Sequence, residues 1–168
     1  MPGPARRLVP LGLGGLLALA CGGPPPRAPN PTRPLDERRA VEIIRGAFRA
    51  EGDRSSLGGK IRLPGGKELE VDVGASGHQY GVAYVTSEER WELGDAIPVP
   101  EPGMEDALRL VRGAGEFAGT KVLVLHDTSY LYDDQVGTDH EATVLTAERK
   151  LDRDVRDFVV RAHAEKWP

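Results

Sequence analysis

From residue 35 onward the apolar positions follow two different periods. Between Leu35 and Ala50, the residues Val41, Ile44 and Phe48 recur at helical spacing with Ala40, Ile43 and Ala47 beside them. The charged residues Asp36, Glu37, Arg38, Arg39, Glu42, Arg45 and Arg49 mostly turn away, so this stretch predicts an amphipathic helix, with Gly52 placed to end it. The period then falls to two. Ile61 and Leu63 alternate with polar residues before Pro64-Gly65-Gly66-Lys67, and Leu69, Val71 and Val73 alternate after it, which is the pattern of a hairpin. A third strand over 80–85 completes a three-stranded antiparallel meander.

Thr86 and Glu89 have the spacing of a capping box and predict a short helix to Leu93. Prolines at 98, 100 and 102 make 95–103 an irregular connection. A helix over 104–112 would bury Met104, Leu108 and Val111. The continuous apolar run Lys121-Val122-Leu123-Val124-Leu125-His126 predicts a strand buried on both faces near the middle of a sheet. The last helix is expected to open at Thr138, where Thr138 and Glu141 repeat the capping-box spacing, and to run to Lys166. Val144, Ala147, Leu151, Val155, Phe158 and Ala162 form its apolar face, with Asp152/Arg156 and Asp157/Arg161 as i,i+4 pairs opposite. The fold class expected is therefore α+β: a mostly antiparallel sheet, with the N-terminal helix and the long C-terminal helix on one face.

The first 34 residues belong to neither period. Arg6 and Arg7 precede an uncharged apolar stretch from Leu8 to Ala20, which has the form of a secretory leader. That stretch is shorter than the roughly 20 residues a spanning helix needs and is interrupted by Pro10, Gly12, Gly14 and Gly15. It ends in Leu17-Ala18-Leu19-Ala20-Cys21, which resembles the lipobox of bacterial lipoproteins. The resemblance covers those five residues and implies cleavage before Cys21 and a diacylglyceryl group, with further acyl chain, on the new N-terminus. Cys21 is the single cysteine of the chain, so an internal disulfide is excluded and acylation accounts for an otherwise unpaired exported thiol. Gly22 follows it where an aspartate would be expected to retain the protein at the inner membrane, which by the same resemblance favours the outer membrane, facing the periplasm or the cell surface. Residues 22–34 hold six prolines in thirteen positions and read as a tether. The division expected is a leader over 1–20, a lipidated cysteine and tether over 21–34, and one domain over 35–168.

Charge narrows the function classes. The leader and tether carry four basic and no acidic residues, so the domain has 18 basic against 26 acidic residues and a formal charge of −8. A domain of that balance, without a basic stripe, is not a nucleic-acid binder. Its densest chemistry lies in His126-Asp127, Asp133-Asp134 and Asp139-His140-Glu141. Imidazoles and carboxylates suit zinc or manganese, and His126, Asp127, Asp139 and His140 are the candidate ligands for a divalent metal. Each also has an ordinary structural use: Asp139 and Glu141 in the first turn of a helix, and His126 as a hydrogen-bonded histidine at a strand end.

Ser129 near His126 and Asp127 supplies the residue types of a triad, but three neighbours on one strand converge poorly. Glu68, Glu70 and Asp72 alternate along a strand and form either a solvated row or an acidic site. Tyr130 and Tyr132 are the candidate partner-binding residues, as an aromatic patch beside the acidic loop. The reading that results is a non-enzymatic lipoprotein domain that binds another envelope component or assists an assembly. Its partners are membrane lipid, through Cys21 acylation, and another envelope protein. The competing reading is a metal-dependent periplasmic hydrolase built on 126–141.

Overall fold

A computed structural model of the chain describes residues 32–100, 103–104, 107–133 and 142–168. The leader, Cys21, most of the tether, the Thr138/Glu141 pair, Asp139 and His140 lie outside the described residues. The elements run β1 (Arg33–Pro34), α1 (Glu37–Ala50), β2 (Ser55–Leu57), β3 (Lys60–Arg62), β4 (Glu68–Glu70), β5 (Val73–Ala75), β6 (Tyr80–Val85), α2 (Ser87–Leu93), β7 (Leu110–Arg112), β8 (Lys121–His126), β9 (Leu131–Tyr132) and α3 (Val144–Ala164). The fold is α+β, as the sequence periods predict.

The central sheet has five strands in the order β2-β5-β6-β8-β7. All its pairings are antiparallel except β6 with β8, which run parallel over their whole length from Tyr80↔Lys121 to Val85↔His126. Both of these strands are apolar along nearly every residue because both faces of the sheet are covered. On one face Val82, Tyr84, Leu123 and Leu125 meet Ile44 and Phe48 of α1 and Leu151, Val155 and Phe158 of α3. On the other, Ala83, Val85, Val122 and Val124 meet Ile61, Leu63 and Leu69 of the β3–β4 hairpin together with Leu93 and Ile97.

The two long helices lie side by side in the same direction. Arg39 near the start of α1 bonds Glu148 near the start of α3 at 2.7 Å, and Glu51 just past the end of α1 accepts from Arg156. Asp36 caps α1 by accepting from the Arg39 N–H at 3.2 Å, and Thr86 and Glu89 form the capping box of α2 in both directions.

Four expectations are corrected by the structure. The segment 104–112 ends in strand β7, not a helix, because the outer edge of β8 needs a partner and Leu110-Val111-Arg112 supplies it; Met104 is half exposed. Nine residues are too few to hold a helix without packing. The meander is split: β3 and β4 form a separate two-stranded sheet, and β6 pairs with β5. The helix α3 opens at Val144 with Thr143 as its cap, the Thr143 hydroxyl accepting from the Thr146 N–H at 3.2 Å. Finally, Arg156 and Arg161 bond Glu51 and Glu165, because those carboxylates lie closer than the i−4 aspartates.

Candidate functional site

The C-terminal end of β8 brings His126 and Asp127 to one corner of the sheet, but each is turned to a different neighbour. His126 is 1% exposed on the hairpin side, and its Nε2 lies 2.8 Å from the carbonyl of Pro98. A carbonyl can only accept, so Nε2 carries the proton and Nδ1 presents a lone pair. No hydrogen-bond partner reaches that Nδ1 among the described residues. Burial, and after it the nearby Arg90 and Arg109, lower the imidazole pKa against the opposing pull of the Pro98 carbonyl and Asp127. The ring is therefore neutral at pH 7.

Asp127 faces the N-terminus of α2. Its carboxylate accepts the Ser87 N–H at 3.0 Å and the Ser87 hydroxyl at 3.0 Å. This anion at the positive end of a helix ties β8 to α2 across forty residues of sequence. Ser129 sits in the short turn Asp127–Ser129 and is half buried, so the triad residue types do not meet as a relay: the His126 Nε2 proton goes to Pro98 and the Asp127 carboxylate to Ser87. Asp133 is buried at the end of β9, its backbone N–H donated to Ala142. Among the described residues no group of three or more histidine, cysteine or carboxylate side chains is placed to hold a metal ion. The candidate ligands Asp139 and His140 lie outside those residues.

Tyr130 is part of the core. Its ring is 2% exposed, its hydroxyl donates to Asp154 at 3.0 Å, and Lys150, itself bonded to Asp154, lies 4.8 Å from the ring centre. Tyr132 is partly buried under Arg33, whose guanidinium lies 5.0 Å from the ring centre where β1 pairs with β9. The two tyrosines thus anchor the entering chain and α3.

The acidic row divides in the same way. Glu68 and Glu70 are exposed, whereas Asp72 turns inward and accepts the Tyr84 N–H at 2.7 Å. Its own N–H donates to Val82 at 2.9 Å, so Asp72 ends the β5–β6 ladder with one backbone and one side-chain bond. Burial, followed by the charges of Glu37, Glu89 and Glu70, pushes its pKa up to about 6, while the Tyr84 N–H pulls the other way. Beside it, a cleft of about 330 Å³ separates the β3–β4 hairpin from α2 and is lined by Lys60, Lys67, Glu68, Glu70, Glu89 and Glu92 among others. Lys67 closes one side of it by donating to the Glu92 and Leu93 carbonyls at 2.6 and 2.9 Å, a cation at the negative end of α2.

Periodicity alone did not single out Trp91. It stands 88% exposed on α2, two residues from buried Leu93 and so on the opposite side of the helix. A groove of about 430 Å³ beside it is lined by Ser87, Arg90, Gly94, Asp95 and Val99. The signal was available in the order of residues, since a helix that buries Leu93 must turn Trp91 outward.

The two perturbed groups give opposite pH dependences. His126 binds its proton less readily folded than unfolded, so its contribution is present above the usual imidazole range and is lost as pH falls through it. Asp72 holds its proton in the fold where the unfolded chain has released it; its contribution is present in acid and lost as pH rises through about 6. Stability measured by urea unfolding should therefore fall less steeply between about pH 7 and 5 in His126→Gln than in wild type. Equal slopes would show that the buried imidazole does not set the acid limb.

No protein-family model matches the chain, and no curated protein or solved structure is significantly similar to it.

Proposed function

We propose that the chain is a lipid-anchored bacterial envelope domain that binds another envelope component and does not turn over a substrate. The observation that carries this reading is the cationic, then apolar, N-terminal stretch ending in Leu17-Ala18-Leu19-Ala20-Cys21, with Cys21 the sole cysteine. Two or more acyl chains hold a protein stably on a bilayer, so the anchor needs no spanning segment. None of the described helices is long and apolar enough to cross a membrane. Gly22 directs the proposal to the outer membrane.

The binding half of the reading is supported by the use of the polar residues around β8. Asp127 holds α2, Asp72 ends the β5–β6 ladder and Tyr130 is locked to Asp154. The cleft between the hairpin and α2 offers a partner both signs of charge, Lys60 and Lys67 against Glu68, Glu70 and Glu92. One observation favours the alternative of a metal-dependent hydrolase: the buried Nδ1 of His126 has no hydrogen-bond partner among the described residues.

Expression in a bacterial host with labelled palmitate tests the anchor. The wild-type chain should take up label and sediment with membranes, and Cys21→Ser should do neither. An unlabelled wild type, or an unchanged distribution in Cys21→Ser, sinks the proposal. The zinc and manganese content of the same purified protein separates the two readings, since one metal per chain would favour the hydrolase.

A further inference from the structure

We infer that the end of the sheet at which the tether enters rests on the phospholipid bilayer, with Trp91 as its interfacial anchor. The inference depends on the reading of Cys21 as an acylated residue and says how the anchored domain is oriented.

The fold gathers several features at that one end. The Leu35 N–H donates to Tyr130, the Tyr84 hydroxyl donates to the Leu35 carbonyl, and Asp127 holds Ser87. The entering chain, the C-terminal ends of β6 and β8 and the start of α2 therefore lie together. The parallel packing of α1 and α3 brings the first turn of α3 to the same place, where the Asp133 N–H donates to Ala142. Pro98 is tied there by His126, and Met104 by the Arg109 guanidinium at 3.0 Å.

Eight large apolar side chains are exposed among the described residues, and six of them, Trp91, Val99, Met104, Leu131, Val144 and Leu145, belong to the segments that meet at this end. Scattered apolar residues on a surface need no explanation, but a concentration of them with an exposed tryptophan does. Indole carries a large apolar ring with one N–H donor, and it partitions to the boundary between head groups and acyl chains.

The anchor supplies the reason for lipid as the occupant. Arg33 lies twelve positions after Cys21, so the chain enters the domain within about 43 Å of the lipidated residue even if drawn out fully. The far ends of α1 and α3 are farther away by the lengths of a 14-residue and a 21-residue helix, about 21 and about 32 Å. The apolar residues are thus on the end to which the tether is joined. The domain's formal charge of −8 and the mixture of Arg33, Arg90 and Arg109 with Asp36, Glu37 and Asp127 at this end make the contact apolar in origin. It should therefore be insensitive to salt.

The acylated full-length product, purified from membranes, is placed in phosphatidylethanolamine/phosphatidylglycerol vesicles with or without brominated acyl chains. Mass spectrometry of the N-terminus is read on the same sample. Trp91 emission should shift to the blue and fall roughly two-fold with brominated lipid, without change between low and high salt. Trp91→Phe should leave only Trp167, which is 7% exposed and should not respond. An acylated protein whose Trp91 stays open to aqueous acrylamide and unquenched by brominated lipid overturns the docking and leaves the anchor standing. A Trp91 shielded in native membranes but open in protein-free vesicles also overturns it, because the cover is then a protein. Cys21 without acyl mass removes the anchor reading and the docking with it.

Discussion

Phe158→Ala is expected to lower the unfolding free energy by about 3–5 kcal/mol, the range for emptying the site of a fully buried aromatic ring. Phe158 has no exposed surface and stands at the junction of three elements. Its ring meets Tyr80 of β6 edge-on at 5.9 Å and Trp167 at 5.6 Å, and Tyr80 in turn stacks on Phe48 of α1 at 6.4 Å. The surroundings cannot close in easily. Tyr80 is fixed by its hydroxyl, which donates to Asp53 at 2.6 Å, and Trp167 is held under the Lys121 ammonium at 3.8 Å and by its indole N–H on Glu165 at 2.8 Å. A cavity that its walls cannot fill costs more than the lost transfer energy alone. Val160→Ala, two residues along and half exposed, is the control and should stay within about 0.5 kcal/mol of wild type. The measurement is the urea midpoint at unchanged slope; equal midpoints for the two variants would show that the aromatic cluster does not hold α3 to the sheet.

Those aromatic contacts join residues far apart in sequence, which marks the boundary of what periodicity could reveal. The strand β8 was legible because a continuous run of β-branched and apolar residues suits burial on both faces, and β6 was placed at 80–85, though as the third strand of an antiparallel meander and not as the parallel partner of β8. The helices α1 and α3 were legible from their apolar faces, though α1 starts two residues later than expected because Asp36 is its cap, not its first turn. Leu69, Val71 and Val73 are all buried as alternation requires, yet Val73 faces the long helices while the other two face the hairpin side. No period of two encodes that change; it arises because Asp72 interrupts the strand to bond Val82 and Tyr84. The segment 104–112 misled for the related reason that Leu108 and Val111 fit one helical turn as well as they fit the edge of a sheet.

The candidate site was less legible than the fold. Composition found His126, Asp127, Tyr130 and Tyr132 as a chemically dense stretch, but their roles depend on Pro98, Ser87, Asp154 and Arg33, none of them within twenty residues. Trp91 gave no signal as a residue type. It became informative only when its exposure was set beside the segments that converge on the tether, and that convergence is a property of the parallel α1–α3 packing.

The largest effect of a single methyl group is expected at Gly58. Here the link from β2 to β3 and the link from β4 to β5 pass side by side as the chain moves between the central sheet and the hairpin sheet. The Gly58 N–H donates to the Asp72 carbonyl at 3.3 Å and the Val71 N–H to Gly59 at 2.9 Å. A Cβ on Gly58 would lie 1.5 Å from the Val71 carbonyl oxygen and 2.3 Å from its carbon. Both are backbone atoms, so no side-chain rotation relieves the clash. Separating the two links would displace Asp72 and free the Tyr84 and Val82 groups that it satisfies, adding unpaired buried backbone to the steric cost. Gly58→Ala should therefore lose about 4 kcal/mol or more, or fail to accumulate as soluble protein. Gly59→Ala, whose Cβ would meet nothing within 4 Å, should cost no more than about 1 kcal/mol. The adjacent pair removes composition and helix or strand propensity from the comparison, leaving the close approach as the difference. Unfolding midpoints that coincide would mean that the two sheets are not bound at this crossing, and with them would go the fixed position of Asp72 beside the cleft.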